Sequence, residues 1–116
     1  MKSYDVIIIG GGPAGTSAAL FLAKKGYQVA LLEQTRFPRD KVCGEFISPA
    51  ADAIFSELGV LEAIESLDPL RLKGVVVSAY EQSVFQADYP PASEAGREMT
   101  SLSVERMALD HLMLDR

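Results

Sequence analysis

The sequence predicts an α/β fold that opens with a parallel β-α-β unit and continues into a β-hairpin from a second, incomplete domain. Three observations carry this expectation. Val6 to Ile9 is a run of four β-branched apolar residues without alternation, which suits a strand covered on both faces, as in a parallel sheet between helices. The turn Gly10-Gly11-Gly12-Pro13-Ala14-Gly15 follows at once. A second apolar run, Val29-Ala30-Leu31-Leu32, comes just far enough downstream for a helix to intervene.

Each element has its own signal. Gly10, Gly12 and Gly15 fit G-x-G-x-x-G, in which the first glycine allows a tight turn, the second a close approach of phosphate to backbone, and the third close packing of helix on strand. Pro13 suits a first helical turn, where an N–H is unpaired anyway. The helix runs on through Ala14 and residues 17–23 and is expected to stop at Gly26. Its free N–H groups and positive dipole end favour an anion. Glu33 closes the second strand and follows Gly10 by 23 residues, about where this fingerprint places the acid that binds a ribose hydroxyl. A carboxylate there also repels a 2′-phosphate, which argues against NADP in this pocket. Together these features describe the start of a Rossmann-like dinucleotide-binding fold.

Beyond Glu33, residues 34–47 show no sustained period and read as a long loop, of a length that is usually functional. Ser48 is placed as an N-cap with Pro49 at the first helical position, and Ala50, Ala53, Ile54 and Leu58 form the apolar stripe of a helix ending at Gly59. A short helix is expected around 61–64. Residues 72–80, with Val75-Val76-Val77 at their centre, and 84–89 read as two strands of an antiparallel hairpin turning at 81–83, without the favoured Asn-Gly or Asp-Gly pair. Residues 90–96 read as a polar loop. A last helix is expected from about Ser103, with Val104, Ala108, Leu109, Leu112 and Met113 as its apolar stripe.

Composition narrows the function classes. The chain has 116 residues, 48% of them hydrophobic, and a formal net charge of −5, ordinary for a globular protein of at most one domain's length. The acidic balance and the lack of a basic run argue against nucleic-acid binding. A single cysteine rules out an internal disulfide and fits a reducing, cytoplasmic setting. No stretch approaches about 18 uninterrupted apolar residues, so no membrane span is expected. No Cys/His/carboxylate spacing suggests a metal, and His111, the one histidine, has no partner pattern and reads as structural or exposed.

Four blocks give the sequence a family resemblance. They are DVIIIGGGPAG with Glu33, then RFPRDKVCGEFISPAA at 36–51, then LGV at 58–60, and finally SVERMALDHLMLDR at 103–116. The last resembles an R-x-x-L-D-x-x-L helix carrying Arg106, Leu109, Asp110 and Leu112. Together they resemble the amino-terminal part of a flavoprotein group that includes aromatic-ring hydroxylases, flavin-dependent halogenases and geranylgeranyl reductases. The resemblance implies FAD as cofactor. It counts Gln34, beside Glu33, among the cofactor-binding residues, and places Arg36 near the adenosine and pyrophosphate and Lys41, Cys43 and Gly44 near the flavin. It turns Arg106 toward the ribityl or phosphate portion, although a cation at a helix start is otherwise disfavoured by the dipole. From the residues alone, Arg36 or Arg39 could supply forked donors to a pyrophosphate. Cys43 is either a small buried residue or a thiol at the flavin or substrate.

The expected organisation is an N-terminal part of an FAD-binding domain at 1–70, a hairpin of an incomplete substrate domain at 71–100, and a returning helix at 101–116. The expected function is the FAD-binding fragment of a monooxygenase or of a reductase of the geranylgeranyl reductase type, with NAD(P)H as reductant in the complete protein. A non-catalytic FAD or ADP module, or an interaction fragment completed by another chain, stands as the alternative. Only two parallel strands are visible, so an open sheet edge is expected, and with it weak FAD binding, no turnover by the isolated chain, and a homodimer or partner chain that completes the sheet.

Overall fold

The computed structural model describes residues 2–91 and 98–116, and among them it has seven short strands and four helices. In chain order they are β1 (Val6–Ile9), α1 (Pro13–Lys24), β2 (Val29–Leu32), β3 (Phe46–Ile47), α2 (Ala51–Leu58), α3 (Leu61–Glu65), β4 (Leu70–Leu72), β5 (Gly74–Ala79), β6 (Gln82–Asp88), β7 (Ser101–Ser103) and α4 (Arg106–Leu114). β1 and β2 pair in parallel with Val6 opposite Val29 and Ile9 opposite Leu32. Asp5 fixes that register from outside the strands, its carboxylate accepting the Gln28 N–H at 2.7 Å. A second sheet has the order β3-β7-β4, all antiparallel. β5 and β6 form a separate antiparallel hairpin.

The β-α-β unit follows the sequence expectation closely. Pro13 opens α1, and Gly26 follows its end with φ +90°. The covering of β1 differs. Val6 and Ile8 are half-buried while Ile7 and Ile9 are 62% and 86% exposed, so among the described residues one face is covered and the other is bare. α1 provides the cover, and the position a Cβ would take on Gly15 lies 3.4 Å from the Ile8 side chain. β2 is β1's neighbour on one edge, and no other described strand pairs with it.

The hydrophobic core lies elsewhere, where α2 and α3 meet β7 and α4. Phe55, Leu58, Val60 and Ile64 pack with Leu102, Val104, Leu109 and Met113, and Leu20 and Phe21 of α1 lean on the cluster. α1 therefore joins the parallel pair to this core. Next to the core, Arg71 of β4 ties three elements. Its Nη1 donates to Asp52 of α2 at 2.6 Å and to Thr100 Oγ1 at 3.1 Å, and its Nη2 donates to Glu65 of α3. Burial works against the Arg71 charge, but Glu65 and Asp52 outweigh it and raise the pKa.

Several boundaries depart from expectation. α2 begins at Ala51 rather than Pro49, because Ser48 and Pro49 form a preceding turn in which the Ala51 N–H donates to the Ser48 carbonyl at 3.0 Å. Its buried face is Asp52, Phe55 and Leu58, while Ile54 is exposed; Phe55 and Leu58 enter the core and Asp52 pairs with Arg71, so the buried face differs from the anticipated stripe. The helix does end at Gly59, in the left-handed region at φ +76°. The hairpin turns at Tyr80-Glu81, one step before the expected 81–83, with both residues at positive φ. That is the pattern of a two-residue turn matched to strand twist. β3 and β7 were not anticipated: residues 101–103 form the middle strand of a sheet, and α4 starts at Arg106 rather than Ser103. The polar loop expected at 90–96 falls mostly outside the described residues.

Candidate functional site

The candidate site is the turn between β1 and α1, together with the residues that converge on it. Gly10 adopts φ +109°, a conformation L side chains avoid, and its N–H donates to the Leu32 carbonyl at 2.7 Å, extending the ladder to β2. A Cβ on Gly15 would overlap the Gly10 carbonyl oxygen, so glycine is required for this closeness of helix and strand. Gly12 stands at the N-cap of α1 in an extended conformation with no side-chain cap. Thr16 secures the first turn by donating its hydroxyl to the Gly12 carbonyl at 2.9 Å.

Glu33 arrives from the end of β2. One carboxylate oxygen accepts the Gly11 N–H at 2.8 Å and the other accepts the Thr35 N–H at 2.9 Å. The Gly11 bond, then the Thr35 bond, then the nearby Arg39 charge hold this carboxyl below its ordinary range. Glu33 is thus ionised and fixed against the glycine turn.

Two arginines face Gly12 from separate parts of the chain. A Cβ placed on Gly12 would lie 3.7 Å from Nη2 of Arg39 and 3.9 Å from Nη2 of Arg106. Arg39 comes from the loop after β2, and its guanidinium lies 4.7 Å from the Phe37 ring centre. Arg106 is the first residue of α4. Between them is Asp110, wholly buried. Arg106 donates to it through Nε at 2.8 Å and Nη2 at 3.0 Å, and Arg39 Nη1 lies 3.3 Å from it. The hydrogen bonds to Asp110 raise the Arg106 pKa. Arg39 Nη2 also lies 3.9 Å from Glu33, yet its buried Nη1 has no hydrogen-bond partner. Arg39 is thus balanced in charge by Asp110 and Glu33, with Nη1 on the Asp110 side and Nη2 on the Gly12 side.

Of the residues singled out from sequence, Gly10, Gly12, Pro13, Gly15, Glu33 and Arg106 converge on this turn, with Ala14 in the first turn of α1. Cys43 joins through Arg106. Its Sγ accepts the Glu45 N–H at 3.4 Å, and that bond, then the Arg106 guanidinium, lowers the thiol's pKa from the ordinary 9.0. The thiol is exposed, not the small buried residue that was one of its two readings. Gln34, Arg36, Lys41 and Gly44 stand on the exposed side of the loop. Between the two arginines weighed as fork donors, Arg39 and not Arg36 faces Gly12. Asp110 was not singled out as a site residue. Its spacing of four from Arg106, beside the buried Leu109 and Met113, is the signal that could have found it.

A strand, a glycine turn, a helix N-terminus, an acid at the next strand end and two arginines together define a dinucleotide-binding domain. Two guanidinium Nη2 atoms facing a helix N-terminus, with no side chain at Gly12 to block the approach, fit a cofactor pyrophosphate. The chain belongs to the FAD binding domain family, which it matches over residues 3–111. It is 34% identical over 106 residues to menaquinone reductase from Mycolicibacterium smegmatis, covering 91% of this chain and 24% of that protein. It is 34% identical over 112 residues to 1H-pyrrole-2-carbonyl-[peptidyl-carrier protein] brominase from Pseudoalteromonas luteoviolacea, covering 95% of this chain and 27% of that protein. The solved structure of CmlS, a flavin-dependent halogenase, superposes with a TM-score of 0.84 at 32% identity, over 99% of this chain and 21% of that one. The chain thus spans about a quarter of the length of these relatives. FAD is the cofactor of this domain, and the group resemblance drawn from the four blocks holds. No helix among the described residues is long and apolar enough to cross a membrane, and the described residues hold no cluster of metal-ligating side chains.

Proposed function

We propose that this chain supplies the adenosine-diphosphate grip of a flavin-dependent oxidoreductase whose redox step is completed by residues outside it. The observation that carries this is Gly12, where the N-terminus of α1 meets an Nη2 from each of two guanidinium groups within 4 Å of the Cβ position. In this assignment Glu33 takes the adenosine ribose hydroxyls. Gly10, Gly12, Pro13, Ala14 and Gly15 pass the pyrophosphate along the backbone. Arg39 and Arg106 turn guanidinium donors toward its oxygens, and Gln34 and Arg36 border the adenosine. Lys41, Cys43 and Gly44 lie toward the flavin. When bound, FAD supplies hydride transfer, accepting from a nicotinamide and delivering to a substrate or to oxygen. The chain's own contribution is to bind and orient. Glu33, already ionised, selects an unphosphorylated ribose, and the arginines, whose charge Asp110 and Glu33 balance, offer guanidinium donors to the phosphates.

The relatives include a reductase and two halogenating enzymes, so the shared element is the flavin and not the substrate. We assign residues 1–70 and 101–116 to the FAD-binding domain and residues 71–100 to a substrate-side hairpin. The compartment is the cytoplasm, supported by the exposed free thiol of Cys43. NAD(P)H is the reductant of the complete enzyme, and the isolated chain has no turnover. Isothermal titration with ADP and with FAD tests the grip. Binding of both is expected, with affinity for each lowered about tenfold in Glu33→Ala by loss of a charged hydrogen bond. Unchanged affinity in that variant would remove Glu33 from the site.

A further inference from the structure

We propose that Asp110 is the positioning residue of the phosphate pocket, its buried carboxylate setting both Arg39 and Arg106 toward Gly12. This rests on the cofactor assignment above and adds to it the part that makes the pocket. Asp110 is wholly buried on α4. Such a carboxylate is costly unless paired and hydrogen-bonded. Arg106 satisfies it with two hydrogen bonds from one guanidinium, to Oδ1 and Oδ2, the fork geometry that fixes direction as well as distance. Arg39 lies on its other side at 3.3 Å without a hydrogen bond. The consequence is geometric. Each guanidinium has an Nη2 within 4 Å of the Cβ position at Gly12. Two cations so near one point repel each other; Glu33 reaches only Arg39, at 3.9 Å, and Asp110 is the charge that lies against both and lets them remain there.

Asp110 touches none of the backbone that would meet phosphate, so its action passes through the arginines. Two effects then oppose each other when its charge is removed. By Coulomb's law alone, deleting a negative charge near an anion pocket tightens anion binding. By positioning, the same deletion lets the arginines part and weakens it. The sign of the change separates them.

The test is Asp110→Asn, which keeps the shape and removes the charge, titrated with ADP and with adenosine. The expected result is ADP binding weaker by about tenfold, the scale of one charged hydrogen bond, with adenosine binding unchanged. Asp115→Asn, at the exposed end of the same helix, removes an equal charge and should leave ADP binding as it was. Tighter or unchanged ADP binding in Asp110→Asn overturns the proposal, as does an equal loss for ADP and adenosine, which a merely structural role would give. An unmutated chain that binds no ADP overturns the cofactor assignment itself and the role of Asp110 with it. A second measurement stands apart from the folding of the variant. In the unmutated chain the Arg106 Nε–H proton should exchange with water more slowly than that of the exposed Arg36, as seen by nuclear magnetic resonance. Equal exchange would show that the anchor does not exist.

Discussion

Cys43 is exposed, but its environment is not that of a free thiol in water. The Glu45 N–H and the Arg106 guanidinium both favour the thiolate, and the thiolate is the reactive form. Alkylation by iodoacetamide should therefore reach half its limiting rate below pH 9.0, the ordinary value. In Arg106→Ala the midpoint should rise only part of the way back, because the larger contribution, from Glu45, remains. A midpoint that does not move in the variant would separate Arg106 from the thiol. At this scale the positions of the glycines and Glu33 at the turn were legible from local rules about turns and strand ends, whereas Arg106 was legible only through the family resemblance, since the helix dipole argues against a cation there. The choice of Arg39 over Arg36 was not legible, since three residues of irregular loop decide which side chain turns inward. Asp110 was hidden for a different reason: a buried carboxylate is understood only when the cations that satisfy it, one of them 71 residues away, are placed beside it.

Among the elements, the β1-α1-β2 unit depends on one atom that is missing. A Cβ on Gly15 would run into the Gly10 carbonyl, and backbone cannot swing aside as a flexible side chain can. Gly15→Ala should therefore destabilise the fold by about 3 kcal/mol, the upper part of the range for overpacking, read as a lower urea midpoint at unchanged slope. A loss no greater than an ordinary surface change would mean the helix can slide. This unit was legible because its signals are contiguous in sequence. β3 and β7 were not, because strands of two and three residues carry no period and exist only through pairing with partners far along the chain. The hairpin was legible as two strands, but its turn was misplaced because Tyr80 and Glu81 take the positive φ values that glycine or asparagine usually fill.

For the molecule as a whole, the radius of gyration is 16.9 Å and the longest extent 61 Å, against about 13 Å expected for the radius of a compact chain of this length. The exposed face of β1, with Ile7 and Ile9, and the apolar residues Val76, Val77 and Phe85 of the hairpin lie open. On the edge away from β2, β1 pairs with no described strand, and an unpaired strand edge is a template for pairing with another chain. The 116-residue chain is accordingly expected to self-associate, most simply as a homodimer across the β1 edge. Light scattering coupled to size exclusion at tens of micromolar concentration should give a mass above 12.5 kDa. A cooperative monomer would show that the edge is closed within one chain.

The order β3-β7-β4 also has a consequence in time. Its middle strand is the last of the three to be synthesised, so neither flanking strand has a partner until residues 101–103 exist. At a synthesis rate of about 5 to 20 residues per second, the roughly 70 residues separating β2 from β7 take about 4 to 14 seconds to appear. During that interval the β-α-β unit can already pair, while Phe46, Ile47 and Leu70 wait without neighbours. Leu102, Val104, Leu109 and Met113, half of the buried apolar cluster, arrive with the same late segment. The nucleotide turn is therefore an early product of the growing chain and the packed core a late one, and a ribosome that stalls between them leaves a glycine loop without the arginine and aspartate of α4 that complete it.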